Sequence, residues 1–114
     1  MPYIHATIAK KVNEDLKHKL QMALGTQITA IPEKNISNTV ITINDGITMY
    51  KNGEPLDGAF LDIRLFKSSP EDAKKAYAGK VFAIMEEVLG IPPAYVQINY
   101  TEMPIWASGG NFMT

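Results

Sequence analysis

Three observations predict an α+β fold for this 114-residue chain, built from two β-α-β units in a pseudo-twofold arrangement. The sequence resembles itself at a shift of 57 residues, half its length. Each half begins on a segment with the alternation of a strand with two unlike faces and ends on a further strand after an Ile-Pro turn. Between those segments each half carries apolar residues at helical spacing. Hydrophobic residues make up 46% of the chain against 20% charged, enough for a packed core and too apolar for disorder. The length suits one domain, 1–114, with repeat units at about 2–46 and 59–103 and a C-terminal tail at 104–114.

The shift sets Tyr3-Ile4 over Phe60-Leu61, Ile8 over Leu65, Lys10 over Lys67, Glu14-Asp15 over Glu71-Asp72 and Lys17 over Lys74. Further on it sets Ile41 over Ile98, Ile43 over Tyr100 and Asp45 over Glu102. In between the register slips, because Ile31-Pro32 matches Ile91-Pro92 at a shift of 60. Two copies are too few for a solenoid, so the repeat implies one domain of two equal units.

Along the chain, Pro2 to Ala9 alternates Ile4, Ala6 and Ile8 with Tyr3, His5 and Thr7 and reads as the first strand. Asn13 is an N-cap residue followed by two acids, and Leu16, Leu20, Ala23 and Leu24 continue as a helical stripe. Thr39 to Asn44 is the second strand, and Lys51-Asn52-Gly53-Glu54-Pro55 an exposed turn joining the halves. Ala59 to Phe66 is the third strand. Ser69 then caps a second helix with Pro70 at its first position and acids in its first turn. Its stripe reads Ala73, Ala76, Tyr77, Lys80, Val81, Ile84, Met85 and Val88, stopped by Gly90. Tyr95 to Thr101 is the fourth strand, and residues 104–114 are expected as a short hairpin or extended segment packed on a neighbour.

Two right-handed crossovers side by side place both helices on one face of a four-stranded sheet. Leu61, Ile63, Leu65, Val96, Ile98 and Tyr100 should face the helices, leaving Phe60, Asp62, Arg64, Phe66, Gln97, Asn99 and Thr101 on the other face. Nothing in the chain remains to cover that face, so further copies of the same subunit are the expected cover.

Composition excludes several classes of function. Eleven basic against twelve acidic residues give a net charge of -1, and Lys10-Lys11 and Lys74-Lys75 are too sparse for a nucleic-acid surface. Cysteine is absent and only His5 and His18 offer imidazole, so no metal site and no cofactor are expected. Apolar runs are far too short to span a membrane, and the N-terminus lacks the pattern of a signal peptide, so a cytoplasmic location is expected.

Met1-Pro2 leading directly into a strand, the duplicated β-α-β unit, and Val96-Gln97-Ile98-Asn99-Tyr100-Thr101-Glu102-Met103 near the end resemble the tautomerase superfamily. Within it the Ile-Asn-Tyr stretch and aromatic tail are similar to the macrophage migration inhibitory factor branch. Thr101-Glu102-Met103 followed by Gly109-Gly110 resembles 4-oxalocrotonate tautomerase, and residues 57–75 resemble 5-carboxymethyl-2-hydroxymuconate isomerase. The resemblance covers essentially the whole chain. It implies a homotrimer and a tautomerase that moves a proton on a small 2-keto or enol acid. In that family the initiator Met is removed and the proline amine is the general base, a role this resemblance gives to Pro2. An apolar site would lower that amine's pKa and fit it to the task.

Arg64, the only arginine, is then the candidate anchor for a substrate carboxylate, with an ion pair to Asp62 or to a neighbouring subunit as the competing structural role. Gln97 departs from the family, whose branches carry tyrosine or arginine there; its amide can still donate a hydrogen bond to a developing enolate. Asn99 matches the asparagine of the inhibitory-factor branch. Trp106, Phe112 and Tyr3 are candidates for an apolar wall around a flat substrate. Lys34 follows the Ile31-Pro32 turn three residues later than the branch's substrate-binding lysine. His5 suits a subunit contact and His18 a solvated helix face. Two other functions share this frame: a binding or signalling trimer without turnover, and dehalogenation or decarboxylation of a small acid.

Overall fold

A computed structural model describes residues 1–114. Its elements run β1 (Pro2–Ile8), α1 (Glu14–Gln27), β2 (Val40–Asn44), β3 (Tyr50–Lys51), β4 (Glu54–Pro55), β5 (Ala59–Phe66), α2 (Glu71–Leu89), β6 (Val96–Met103), β7 (Trp106–Ser108) and β8 (Asn111–Met113). Four strands form one sheet in the order β2-β1-β5-β6, parallel in the outer pairs and antiparallel at the centre.

The sheet register carries the repeat seen in the sequence. Tyr3 pairs with Val40 in the first half and Phe60 with Gln97 in the second, each a position for position match at a shift of 57. In the central pair His5 lies opposite Asp62, residues that are themselves 57 positions apart, so the pseudo-twofold axis passes between them. The two small hairpins obey the same shift. Asn52-Gly53 and Gly109-Gly110 both turn with positive φ at both central residues, 54° and 75° in one, 57° and 87° in the other. That is the turn whose twist matches a two-residue hairpin. The presumed connector and the presumed tail are therefore equivalent hairpins, β3-β4 and β7-β8.

Asn13 caps α1, its side chain accepting the Leu16 N–H at 2.9 Å. At α2 the expected cap moves by one residue. Pro70 is extended, its carbonyl accepts the Lys74 N–H, and the helix begins at Glu71. Ser69 is not the cap, and its own N–H donates to the Glu102 carboxylate. Gly90 closes α2 in the left-handed conformation. Tyr95 belongs to a 3-10 turn rather than a strand, and β6 runs two residues beyond Thr101 because Met103 still pairs with Phe66.

The core lies between the helices and one sheet face. Ile4, Ala6, Ile8, Leu61, Ile63 and Leu65 are wholly buried there with Leu20, Leu24, Val81 and Met85. Ala76 and Lys80 fall outside the buried stripe of α2 and are exposed. Tyr77 is also fully buried, and its hydroxyl donates to the Leu24 carbonyl at 2.7 Å, one of the orphan acceptors in the last turns of α1. Burial pushes the Tyr77 phenol up. The opposite sheet face has no cover from this chain: Tyr3, His5, Phe60, Asp62 and Phe66 are half-buried, and Arg64, Gln97, Asn99 and Thr101 are exposed. No helix is long and apolar enough to cross a membrane.

Each half also carries the same polar clamp. The Asp45 carboxylate, just after β2, accepts the Val12 N–H at 2.7 Å and meets Lys17 at 3.3 Å. Its counterpart Glu102 on β6 accepts the Ser69 N–H at 2.7 Å and meets Lys74 at 3.0 Å. All three partners repeat at the shift of 57. The clamp ties an outer strand to the turn before its helix. The Val12 N–H, aided by Lys17, holds the Asp45 carboxyl below its ordinary value, and the Ser69 N–H followed by Lys74 does so for Glu102. A carboxyl whose pKa is depressed by folding stabilises above its unfolded pKa and loses that contribution as pH falls through its folded one. The melting temperature should therefore decline from about pH 4 downward. In an Asp45→Asn, Glu102→Gln double variant, melting followed by circular dichroism should start lower at neutral pH and fall less steeply in acid.

Candidate active site

At one end of the sheet the chain's first residues meet the end of β5. Pro2 is buried and pairs with Leu65. The Met1 carbonyl accepts the Phe66 N–H at 3.2 Å, and the counterpart bond in the other half runs from the Ala9 N–H to the Gly58 carbonyl. Ile31-Pro32-Glu33-Lys34 forms a turn closed by the Lys34 N–H on the Ile31 carbonyl, with Glu33 at φ 68°. This turn sends Lys34 back under β5, where its Nζ donates to the Phe66 carbonyl at 3.4 Å. Lys34 is only 9% exposed, the one charged residue of the chain that is buried.

A cation buried beside a terminal amine bears on that amine's basicity. The Met1 amine is lowered from 8.0 to about 6, first by burial and then by the Lys34 ammonium, with Glu33 opposing. While Met1 is attached, the Pro2 nitrogen is an amide and holds no basic lone pair.

Two cavities open here and share a single wall. One, of about 190 Å³, is lined by Met1, Pro2, Ser37, Asn38, Val40 and Trp106 among others. The other, of about 400 Å³, lies against Tyr3, Arg64, Met103, Ile105, Trp106 and Ala107. Strand alternation explains the division. Pro2 is in phase with Ile4 and the core, whereas Tyr3 and Arg64, paired across the sheet, sit on the helix-free face.

Of the expected site residues, the structure brings Trp106 to Pro2 and groups Tyr3 and Arg64 with Trp106 in the neighbouring cavity. Arg64 makes no ion pair with Asp62. Gln97 and Asn99 stand apart. The row of Pro2 runs through Leu65 to Glu102, which puts Asn99 three and Gln97 five residues down an edge strand. That is about 10 and 16 Å along the strand, too far to reach Pro2 within one protomer. Phe112 is 71% exposed on β8 and lines neither cavity. His5 lies on the helix-free face near Tyr3, and His18 is exposed on α1, beside Gln21. Sequence reasoning undervalued Lys34 and missed the Phe66 backbone and the Ser37 to Val40 wall. A lysine set directly after a proline turn was the one available signal for the first.

No family model and no curated protein matches this sequence. Solved structures do. MIF2 of Leishmania major superposes with a TM-score of 0.89 at 15% identity, over 99% of this chain and 97% of that one. The macrophage migration inhibitory factor-like protein of Entamoeba histolytica gives 0.86 at 18% identity, covering 98% of each chain. A wild-type fused 4-OT solved as an asymmetric trimer gives 0.86 at 13% identity, over 96% and 94%. The chain has the fold these structures share.

Proposed function

We propose, from the fold held in common with those structures, that this chain is a tautomerase of the migration inhibitory factor type. It would move a proton on a small 2-keto or enol acid, with the Pro2 amine as general base. The observation that carries the reading is the buried Lys34 beside the chain terminus, in a site that already holds a terminal amine near a pKa of 6.

Removing Met1 does two things at once. It turns the Pro2 amide into a secondary amine, and it frees the Phe66 N–H that the Met1 carbonyl had occupied. A substrate entering in place of Met1 meets a base, a backbone donor and an ammonium together. Pro2 takes the proton alpha to the carbonyl, the enolate oxygen gains the Phe66 N–H, and Lys34 attracts the carboxylate. The protonated Pro2 then returns the proton to the other end of the enolate, so the reaction is a net isomerisation. Gln97 and Asn99 complete such a site only from a second protomer. A homotrimer, the state of the fused 4-OT relative, would supply them and cover the bare sheet face.

The test is ketonisation of phenylenolpyruvate by protein whose Met1-free mass has been verified. Acceleration over buffer is expected, and an inert Met1-free protein would favour a binding trimer instead. Lys34→Gln should raise KM about tenfold or more through loss of a charge-assisted contact. It should also move the acidic limb of kcat/KM upward, because removing a neighbouring positive charge makes the amine easier to protonate.

A further inference from the structure

We propose that Gly25 is a positioning residue: it is the seat for Ile36, and through Ile36 it fixes the segment that carries Lys34 to the chain's first amine. The backbone itself does not require glycine here. Gly25 lies inside α1, is buried, and does not adopt the left-handed conformation that five other glycines take. Among helix-interior residues only proline is less favourable, so a glycine at this place calls for a packing reason. A methyl group on Gly25 would lie 2.7 Å from Ile36 Cγ1 and 2.8 Å from Cδ1, inside contact distance. Ile36 is β-branched and has few alternative rotamers, so such a methyl displaces it.

The two halves of the chain differ at this spot. At the shift of 57 that sets Leu20 and Leu24 over Tyr77 and Val81, Gly25 falls on Phe82, which packs against the core. Only the first half leaves the place empty, and only the first half has a segment to fill it. Ten positions separate Ile31 from Ile41, seven separate Ile91 from Ile98, and the surplus lies in the stretch from Glu33 to Thr39. That stretch is bonded mainly to itself. The Asn35 N–H donates to Asn38 Oδ1 at 3.2 Å, Asn38 Nδ2 to the Glu33 carbonyl at 3.4 Å, and the Thr39 hydroxyl to the Asn35 carbonyl at 2.7 Å. The one side-chain hydrogen bond that leaves it runs from Lys34 to the Phe66 carbonyl. Ile36 stands outside the buried core cluster and is 39% exposed, so the contact with Gly25 is what anchors it to α1. A self-bonded loop moves as a unit. Its seat therefore sets Lys34 at one end and the Ser37 to Val40 wall of the Pro2 cavity at the other, although Gly25 lines neither cavity.

Lys34 owes its role to the tautomerase reading, on which this proposal rests, but the seat is tested without turnover, on the chain that keeps Met1. The readout is the pKa of the Met1 amine, followed by NMR in methionine-labelled protein. Burial lowers that amine most, Lys34 lowers it further, and Glu33 opposes them as the weakest cause. In the parent it should titrate at about 6, well below 8.0. Gly25→Ala should raise it by about 0.5 pH unit or more, because displacing the segment withdraws the Lys34 ammonium and opens the amine to water. Ile36→Ala should raise it too, by emptying the seat. Combined, the two should restore the parent value, since a methyl on Gly25 lies 3.5 Å from Ile36 Cβ, an ordinary contact. Gly79→Ala is the control: that helix glycine faces open space, so alanine there should raise the melting temperature and leave the amine alone. An unmoved amine in both single variants, a double variant no nearer to the parent than Gly25→Ala, or an equal rise in Gly79→Ala would each overturn the seat. Where Gly25→Ala fails to fold, Ile36→Ala alone decides, and an unmoved amine there ends the proposal. An inert Met1-free protein would end the tautomerase reading and leave these outcomes as they stand.

Discussion

Replacing Pro2 by alanine in the Met1-free chain is expected to lower kcat/KM for phenylenolpyruvate ketonisation by about 10²-fold or more, within the range of a general base. Alanine leaves a terminal amine in the same place, so some activity should persist. What it loses is the ring, which makes the nitrogen a secondary amine and fixes its position relative to the backbone, holding the lone pair in one direction. Pro2 is buried and paired with Leu65 in the central ladder, a position that alanine also tolerates, so the fold should survive the change. A chain that keeps Met1 should do worse than the alanine variant, because an amide nitrogen accepts no proton. In the active chain the acidic limb should lie well below the ordinary terminal-amine value of 8.0, since burial and Lys34 both disfavour the cation. Full activity in either the alanine variant or the Met1-bearing chain would end the proline mechanism.

The largest stability effect is expected from Ile63→Ala, at about 2–5 kcal/mol. Ile63 is wholly buried, lies opposite Ile4 across the antiparallel centre of the sheet, and neighbours Tyr100 on β6. Its counterpart in the first half is Ala6, so the second half supplies the larger side chain to this part of the core. Truncation therefore empties volume that nothing on β1 can fill. For a domain whose total stability is about 5–15 kcal/mol, such a loss lowers the melting temperature by about 10–20 °C. Ile63→Val should cost only about 0.5–1.5 kcal/mol. Urea unfolding at fixed protein concentration checks both, and concentration matters because assembly would add to apparent stability. An alanine variant within 1 kcal/mol of the parent would mean that the core does not centre on this strand pair.

Most of the fold was legible because it rests on local patterning repeated twice. Period-two alternation marked three of the sheet strands and the Ile-Pro turn led to the second, while the Asn13 cap and Gly90 stop marked helix ends, since each depends on a few adjacent residues. What slipped were positions whose surroundings come from distant residues. Ser69 looks like a cap locally, yet the helix starts one residue later, and the Ser69 N–H serves Glu102, 33 residues away. Lys51 to Pro55 and the tail looked unlike each other in sequence, and only the paired positive φ angles of their turns reveal them as equivalent hairpins.

The candidate site was less legible for the same reason. Pro2 could be singled out from its place behind Met1, and alternation correctly put Arg64 on the helix-free face. Lys34 was harder: its burial depends on a proline turn folding back under a strand that begins 25 residues later. Gln97 and Asn99 carry the right chemistry for a polar site but lie rows away from Pro2 in their own protomer. Alternation, capping and the 57-residue repeat are short-range or self-referential, so the order of residues suffices for the elements, their faces and the twofold plan. Which side chains share a cavity is a matter of long-range register and of a single turn. Those geometric facts divide Pro2 from Arg64 with one indole and bring an unremarkable lysine to the chain's first amine.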